Sequence, residues 1–436
     1  MHFAIIEVPE DLVSSTRLPE KIDIGPGAAE RLAAFCAAHL GRLEASVPRS
    51  LRLVADRNTW AAMGEEAERE LRAAGLATRA TVFDSPWLAA DERSVVALLA
   101  DDDPGERLYV AIGSGTITDI VRFVAHRTGR DFVSLATAPS VDAYASVVAA
   151  MTFEGRKSSV AASAPIAVFA DGEALARSPR SMIAAGFGDA IAKFFAVADW
   201  RLGALLWGEG FDESIARRSV ATAESCAASA AAIGAASPAG LEVLMAALIE
   251  SGLCMAEAGH SRSASGAEHH YSHYWEMRLL AEGRPPVLHG LKVGVGSVEA
   301  ARLWDFVRSL DERKAAALLE RSALPSREAE ERRIRAAYGA AAKETIASHE
   351  RFLAMGDGDY EALKLRISGA WDEILGIAQA VPGEAETGRL LALAGCPIRP
   401  GELGLGRREI ALGLSSAHYV RARFTVKKLA RALGQG

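Results

Sequence analysis

The first third of the chain alternates short apolar runs with longer segments of helical spacing, and few folds accommodate this order. Runs rich in aliphatic and β-branched residues predict strands at 51–55, 81–83, 108–112 and 132–135. The segments between them predict helices at about 59–74, 92–99 and 118–126. Strands that alternate with helices form a parallel sheet covered on both faces. The sequence therefore predicts an α/β domain of the nucleotide-binding type.

From about residue 181 onward the strand signals end, and alanine and leucine recur at helical spacing. Ser178-Pro179 marks a helix boundary at this change, because the residue before a proline disfavours helical conformation. A chain of 436 residues is too long to fold around one small hydrophobic core, so two domains are expected. We predict an α/β domain over residues 1–178 and an all-α domain over residues 179–436.

Composition and charge argue against several classes of protein. The chain has 49 basic and 56 acidic residues, a net charge of −7, and no long basic block, so nucleic-acid binding is not expected. The N-terminus lacks a signal-peptide pattern, and no long uncharged apolar run predicts a membrane span. The 4 cysteines are scattered, which is typical of free thiols in a reducing compartment. We expect a cytoplasmic protein that binds neither nucleic acid nor membranes.

A glycine-rich turn, Gly113-Ser114-Gly115-Thr116, follows the predicted strand 108–112. Glycines let the backbone approach an anion closely, and the free N–H groups of the next helix point to the same place. The turn is neither a G-x-G-x-x-G fingerprint, because Thr118 stands three after Gly115, nor a P-loop. Phosphate binding and a tight turn without a ligand both remain open.

Two acidic residues near predicted strand ends each have two interpretations. Asp56 could accept the ribose hydroxyls of a nucleotide, or it could cap the helix that follows. Asp142 lies in the loop 136–146, which is rich in small and hydroxyl residues and suits a polar small-molecule site. It could equally be a helix cap. The residues alone leave these alternatives open.

A further acid, Asp189, lies within the apolar predicted helix 182–195. A buried carboxylate without a partner is costly, so Asp189 requires a compensating group. Lys193, one helical turn later, is one candidate, and a metal ion is the other.

Histidines supply the remaining donors of a candidate metal site. His269 and His273 are four residues apart and share one helix face, whereas His270 points elsewhere. His289 follows after a Pro-Pro pair. One carboxylate with two imidazoles can hold a catalytic divalent metal and leave a position open for water or substrate. We predict Asp189, His269 and His289 as the ligands. The spacing of His269 and His273 also allows two ligands from one helix, or His269 as a ligand with His273 at the substrate or at a ligand.

Together these motifs resemble the superfamily of glycerol dehydrogenases, iron-type alcohol dehydrogenases and dehydroquinate synthases. The similarity is greatest to the sn-glycerol-1-phosphate dehydrogenase family, and the Ser-Gly-Ala-Glu-His motif at 265–269 is its most specific part. The other matching segments span nearly the whole chain and are 113–119, 137–146, 162–165, 170–171, 184–189, 270–277, 289–290 and 419–426.

The resemblance implies a dehydroquinate synthase-like fold, with NAD or NADP on the N-terminal domain and one divalent metal, foremost Zn but also Ni or Fe, on the helical domain. The cofactor-binding residues that it implies are Asp56, Gly113, Ser114, Gly115, Thr116, Asp119, Thr137 and Ser140. The catalytic residues that it implies are Asp142, at the substrate hydroxyls, and the ligands Asp189, His269 and His289.

The activity that the resemblance implies interconverts sn-glycerol 1-phosphate and dihydroxyacetone phosphate by hydride transfer at C2, with the metal as a Lewis acid. A dianionic phosphate needs local basic groups in an acidic protein, and Lys157, His273 and His270 are candidates. Arg156-Lys157 could instead be a solvated turn. We also expect a homo-oligomer.

Two other activities stay open. One is a glycerol or polyol dehydrogenase that does not recognise phosphate. The other is a dehydroquinate synthase-like cyclase, whose metal-binding acid is usually glutamate rather than the aspartate present at 189.

The chain departs from the family pattern at three positions. Arg122 stands where many relatives have lysine, and Ser263 where relatives tend to have proline. Leu291 stands where a polar or acidic residue is common, which could reflect a changed substrate pocket. None of these is a predicted ligand.

Overall fold

The computed structural model describes residues 18–42, 50–85, 88–103, 105–153 and 156–435. Its strands are β1 (Lys21–Ile24), β2 (Ser50–Asp56), β3 (Ala77–Phe83), β4 (Glu106–Gly113), β5 (Asp131–Ala136), β6 (Val148–Phe153), β7 (Arg156–Ala161) and β8 (Ala167–Ala170).

The helices up to residue 258 are α1 (Ala28–Gly41), α2 (Arg57–Thr59), α3 (Glu65–Ala73), α4 (Glu92–Ala100), α5 (Gly115–Thr128), α6 (Gly172–Ala176), α7 (Arg180–Ile191), α8 (Lys193–Trp207), α9 (Glu213–Ala228), α10 (Ala230–Gly234) and α11 (Pro238–Ala258). A π-helical turn, Trp60–Gly64, joins α2 to α3.

The later helices are α12 (Ala267–Ala281), α13 (His289–Arg308), α14 (Glu312–Arg321), α15 (Arg327–Tyr338), α16 (Ala342–Ser348), α17 (Glu350–Leu353), α18 (Asp357–Gly369), α19 (Trp371–Gln379), α20 (Glu384–Leu393), α21 (Arg407–Ser416) and α22 (Val426–Ala432). Short 3₁₀ turns lie at Gly339–Ala341, Pro400–Leu403 and Ala417–Tyr419.

Six strands form a sheet in the order β1-β8-β5-β4-β2-β3, and its neighbouring strands pair in parallel. The inner strand β2 is buried on both faces, with Leu51, Leu53 and Val54 inaccessible to solvent. Burial of both faces is the normal condition of a parallel sheet flanked by helices. The predicted α/β fold is therefore confirmed, and after β8 every regular element of the described chain is helical.

The four predicted strands are present as β2, β3, β4 and β5, each longer than expected. The sequence gives no prediction for the four-residue strands β1 and β8, which are too short to show a periodic pattern. It also gives none for the antiparallel pair of β6 and β7, which stands apart from the six-stranded sheet. These strands form because tertiary pairing outweighs weak local preference.

By packing, the described chain divides into two compact units, and the division is not at residue 178. One unit contains residues up to 186 together with 228–260, and the other contains 187–227 and residues from 261 onward. Helix α11 thus packs with the α/β unit, although the sequence places it in the second domain. The functional division into residues 1–178 and 179–436 stays a prediction.

Two apolar stretches have the length and composition of membrane-spanning helices. They are Arg180–Trp207 and Pro238–Ala258, and 83% and 61% of their most apolar windows are buried inside the protein. Burial of this extent is typical of core helices, whose apolar side chains pack against protein.

Close helix packing brings the predicted metal ligands together. A Cβ on Gly188, in α7, would collide with the carbonyl of Gly290, in α13. A Cβ on Gly296, in α13, would collide with the carbonyl of Glu268, in α12. Asp189, His269 and His289 are each the sequence neighbour of a residue in one of these contacts. Because Gly188 and Gly296 have no side chain, α7, α12 and α13 can approach closely enough to bring the three ligands together.

We predict that Gly188→Ala lowers the free energy of unfolding by about 1–3 kcal/mol, because the new methyl group overpacks the α7–α13 contact. The midpoint of thermal unfolding measures this change. Gly388→Ala is the matched control, because its helical position has open space around it and alanine favours helix by up to about 1 kcal/mol. A Gly188→Ala midpoint at or above that of the unsubstituted protein would contradict the packing argument.

Candidate metal centre and cofactor turn

The three predicted metal ligands lie together in one unit of the structure. The donor atoms of Asp189, His269 and His289 are within 4.8 Å of one another. Nε2 of His269 is 3.5 Å from Oδ1 of Asp189, and the rings of His269 and His289 have centroids 5.3 Å apart. A tetrahedral ion with bonds of about 2.1 Å separates its donors by roughly 3.4 Å. The donor set and its spacing therefore fit a divalent cation.

Asp189 is fully buried and contacts Lys193 as well as His269. Burial by itself would raise the pKa of Asp189. The Lys193 ammonium, whose Nζ is 3.0 Å from Oδ1, and the hydrogen bond to His269 outweigh burial and hold the pKa well below its usual range. Lysine and the candidate metal are thus not alternatives, because the carboxylate faces both Lys193 and the histidines.

Glu268 is a residue of the site that the sequence analysis did not assign. Its Oε1 accepts the Gly266 N–H at 2.6 Å and lies 2.9 Å from Nδ1 of His269. A carboxylate on one ring nitrogen fixes the imidazole and increases the basicity of the other nitrogen, which here faces Asp189. Burial lowers the pKa of His269, but bonds to Asp189 and Glu268 more than offset it.

A second buried acid, Asp199 in α8, fixes the start of α12. Its Oδ2 accepts the Ala267 N–H at 2.7 Å, and its Oδ1 accepts the Val426 N–H, also at 2.7 Å, at the start of α22. The first N–H groups of a helix have no partner within the helix, so these bonds satisfy donors of two helices. Burial raises the pKa of Asp199, and the neighbouring Glu268 raises it further.

His273 borders the triad on the same helix. Its ring centroid is 5.9 Å from that of His269 and 5.4 Å from that of His289. Donor atoms of His273, Glu276 and His289 also lie within 4.8 Å of one another. Burial lowers the pKa of His273 far below its usual range and that of His289 to about 3. Both imidazoles are therefore neutral at pH 7, and a role for His273 in substrate binding stays a prediction.

The glycine turn has the predicted strand-to-helix form. Gly113 ends β4, Ser114 follows it, and α5 begins at Gly115. The first turn of α5 carries no acidic side chain, so the partial positive charge of the helix start is not offset locally. Thr116 lies in that turn, where an anion would meet the free N–H groups. Anion binding here stays a prediction.

Thr137 and Asp56 lie at the same edge of the sheet as this turn. The Thr137 N–H donates to the Gly113 carbonyl at 3.1 Å, and Thr137 directly follows β5. Asp56 ends β2, the neighbour of β4 on the other side, and caps α2 by accepting the Thr59 N–H at 2.8 Å. The capping interpretation of Asp56 is thus confirmed. Ligands of open parallel sheets bind outside the carboxyl ends of strands, and Asp56 lies at such an end, so its ribose role stays a prediction.

Asp119 and Arg122 form a buried ion pair. Nη1 of Arg122 is 2.6 Å from Oδ1 of Asp119, and Nη2 donates to the carbonyls of Ala143 and Tyr144 at 2.5 and 3.0 Å. The guanidinium thereby joins α5 to the loop after β5. A lysine has a single nitrogen and cannot reach these acceptors together, which accounts for the arginine here. The carboxylate of Asp119 faces Arg122, and its predicted cofactor contact stays untested.

The loop after β5 carries the remaining predicted residues of this unit. Ser140 is buried, and the Ser251 hydroxyl of α11 donates to Oδ2 of Asp142 at 3.0 Å. The element after Asp142 is β6, not a helix, so the capping interpretation of Asp142 is wrong. Its predicted contact with the substrate hydroxyls stays a prediction, as does the cofactor contact of Ser140.

Lys157 and His270 are two of the residues predicted as candidates for phosphate binding. Lys157 lies in β7, but its side chain is outside the described part of the structure. His270 is buried, and neither of its ring nitrogens has a hydrogen-bond partner among the described residues. Phosphate binding by either residue stays a prediction.

The structure shows the contacts of Ser263 and Leu291, the other two departures from the family pattern. Ser263 is buried, and its carbonyl accepts a hydrogen bond from the Ser219 hydroxyl at 2.6 Å. Leu291 is half-buried and packs against the apolar cluster that contains Tyr271, Tyr274 and Trp275. Packing explains an apolar residue at position 291, and an effect on the substrate pocket is untested.

Comparison with known proteins identifies the family. Residues 23–179 match the iron-containing alcohol dehydrogenase family. A glycerol-1-phosphate dehydrogenase [NAD(P)+] of Geobacillus stearothermophilus is 32% identical over 385 residues, covering 86% of this chain and 84% of the relative. The chain belongs to the glycerol-1-phosphate dehydrogenase family. The relative of the same name from Bacillus velezensis is 41% identical over 298 residues, 66% of this chain and 74% of that protein.

A solved structure shares the fold of this glycerol-1-phosphate dehydrogenase family member. It is a 1,3-propanediol oxidoreductase with a TM-score of 0.63 and 15% identity, and the match covers 97% of this chain and 99% of the other. At this identity the likeness establishes the fold alone.

We predict that Gly115→Ala weakens NADH binding at least tenfold, about 1.4 kcal/mol, because the new methyl group would stand where we expect the pyrophosphate to approach the backbone. Fluorescence titration of NADH measures the affinity. A Cβ at 115 would also lie 3.1 Å from Cγ2 of Val141, so Val141→Ala and the double variant separate packing from binding. If the double variant regains the affinity of the Val141→Ala control, Gly115 serves packing and the predicted anion site is wrong.

Proposed function

We propose that this chain is a metal- and NAD(P)-dependent dehydrogenase that interconverts sn-glycerol 1-phosphate and dihydroxyacetone phosphate by hydride transfer at C2. The observation that carries the proposal is the Asp189–His269–His289 triad, with Asp189 and His269 buried and His289 partly buried, in a member of the glycerol-1-phosphate dehydrogenase family. The aspartate distinguishes this site from that of a dehydroquinate synthase-like cyclase, which usually has glutamate.

The proposed cofactor site is the carboxyl edge of the sheet. The pyrophosphate would contact Gly113 to Thr116 at the start of α5, where glycine and free N–H groups allow an anion to approach. Thr137 and Ser140 would flank the cofactor, and Asp56 would meet the adenosine ribose. Arg122 would act indirectly, since it holds the loop that contains Ser140 through the carbonyls of Ala143 and Tyr144.

The proposed metal is one divalent cation per chain, with zinc as the first candidate and nickel or iron as the others. Asp189, His269 and His289 would hold it, and when bound it supplies Lewis acidity at the C2 oxygen. Glu268 orients His269 through Nδ1, which leaves Nε2 for the cation. Lys193 keeps Asp189 ionised, as a ligand must be.

On the substrate side, the proposal keeps Asp142 as the residue at the glycerol hydroxyls. It also keeps His273, which borders the triad, as a substrate-binding residue. His273 is neutral at pH 7, so it can donate or accept a hydrogen bond without adding charge to a site that holds a cation. The proposal further includes a homo-oligomer in the cytoplasm that binds neither nucleic acid nor membranes.

Comparison of two ketones tests the function. We expect the metal-loaded protein to reduce dihydroxyacetone phosphate with a kcat/KM at least about a hundredfold above that for dihydroxyacetone, because polar groups built for a phosphate are left unpaired by the smaller ketone. The measurement follows oxidation of NADH and of NADPH. In the reverse direction, sn-glycerol 3-phosphate serves as the control for C2 configuration. Equal efficiencies on both ketones would instead identify a polyol dehydrogenase.

A further inference from the structure

Helices α5 and α7 contact the loop between β5 and β6 at separate points. Arg122 of α5 donates from Nη2 to the carbonyl of Ala143 at 2.5 Å. A Cβ on Gly186 of α7 would lie 1.7 Å from the carbonyl oxygen of Pro139, so the loop packs directly against the backbone of that helix. Asp142 lies between these two contacts in sequence, and its backbone is therefore held on both sides.

A third helix, α11, contacts Asp142 itself. A Cβ on Gly252 would lie 2.8 Å from the carbonyl oxygen of Asp142 and 3.4 Å from the nitrogen of Ala145, so the helix and the loop touch there without an intervening side chain. The preceding residue, Ser251, is 1% exposed, and its hydroxyl donates to Oδ2 of Asp142 at 3.0 Å. Helix α11 thus contacts both the backbone and the carboxylate of Asp142.

The partner of the Ser251 hydroxyl lies outside its own helix. A serine within a helix commonly donates to the carbonyl four residues earlier. Ser225 of α9 does so, since its hydroxyl donates to the Ala221 carbonyl at 2.9 Å. The Ser251 hydroxyl instead donates to a side chain 109 residues away in the chain. Its hydrogen bond therefore serves the loop and not the helix.

A serine is a suitable partner for a carboxylate that has to accept further hydrogen bonds. A carboxylate has about four acceptor positions, so one bond from Ser251 leaves capacity for the hydroxyls of a ligand. The hydroxyl is neutral and leaves the negative charge of Asp142 in place, which strengthens the bonds that it accepts. By contrast, Asp119 of the same unit faces the Arg122 guanidinium at 2.6 Å. Asp142 is only half-buried, so a ligand can reach it.

We infer that Ser251 is a positioning residue, which fixes the Asp142 carboxylate in the orientation that accepts the free hydroxyl of the substrate. This inference rests on the proposed function and deepens it. The terminal torsion of an aspartate side chain has a broad energy minimum, so a carboxylate without such a bond rotates easily. Holding one oxygen before the substrate arrives removes this freedom in advance, which favours productive binding. The packing of α11 with the α/β unit places Ser251 beside the loop.

Substitution of Ser251 tests the inference in the full-length, metal-loaded protein with two phosphorylated ketones. Hydroxyacetone phosphate lacks the free hydroxyl of dihydroxyacetone phosphate, so it does not report on Asp142. We expect Ser251→Ala to lower the ratio of kcat/KM for dihydroxyacetone phosphate over hydroxyacetone phosphate at least about tenfold, because a shift of about 1 Å in a binding group can cost about a hundredfold. Ser251→Thr, which keeps the hydroxyl, should stay within about threefold of the unsubstituted protein.

Ser225→Ala is the matched control. It removes a helical serine hydroxyl that donates only within its own helix, so it should leave the ratio unchanged.

A double-mutant cycle separates positioning from a general loss of structure. Asp142→Ala should lower the ratio at least as far as Ser251→Ala does. In the Asp142→Ala background, Ser251→Ala should cause no further loss, because the group that it positions is absent. Losses that multiply in the double variant would show that the two residues act independently and would overturn the inference.

Metal content and the midpoint of thermal unfolding accompany each variant. If Ser251→Ala fails to fold, Ser251→Cys replaces it, because a thiol is only a weak donor. A ratio in the folded Ser251 variant equal to that of the unsubstituted protein, with a lower ratio in Asp142→Ala, would overturn the positioning role and leave the proposed function standing. Failure of the unsubstituted protein to distinguish dihydroxyacetone phosphate from dihydroxyacetone would instead overturn the proposed function itself.

Discussion

The buried carboxylate of Asp189 is the constraint around which the unit of residues 187–227 and 261 onward is organised. An isolated charge at such a position would be strongly destabilising, so several neighbours have to face it. Lys193 does so from the start of α8, His269 from α12, and His289 is close enough to complete a metal site. Their convergence requires helices that approach closely, which glycines 188 and 296 permit. Packing and chemistry at this site are therefore inseparable.

The α/β fold could be predicted where burial leaves a strong local pattern. The strand at 51–55 is aliphatic except for the buried Arg52, which pairs with Glu106, because β2 is covered on both faces. The segment 108–112 is apolar throughout for the same reason. Short edge and hairpin strands such as β1 and β7 carry no such pattern. The sequence also does not predict that α11 packs with the α/β unit, because this packing depends on residues that are distant in sequence.

The candidate site could be predicted only as far as side-chain type and spacing allow. Asp189, His269 and His289 were found from donor chemistry and from the family resemblance, and they do lie together. Glu268 was missed because adjacent residues of a helix rarely face each other. Asp199 was missed because its partners are far away in the chain, as with Val426, which is 227 residues away. Such contacts have no local signature.

The metal content of variants of the triad tests the account most directly. Elemental analysis of the unsubstituted protein should give one divalent ion per chain. Asp189→Ala and His289→Ala should each lose at least about nine-tenths of the ion together with activity, because two donors hold it far more weakly than three. His273→Ala should keep the ion. Full retention in Asp189→Ala or His289→Ala would contradict the account, and loss in His273→Ala would move the site to His273, Glu276 and His289.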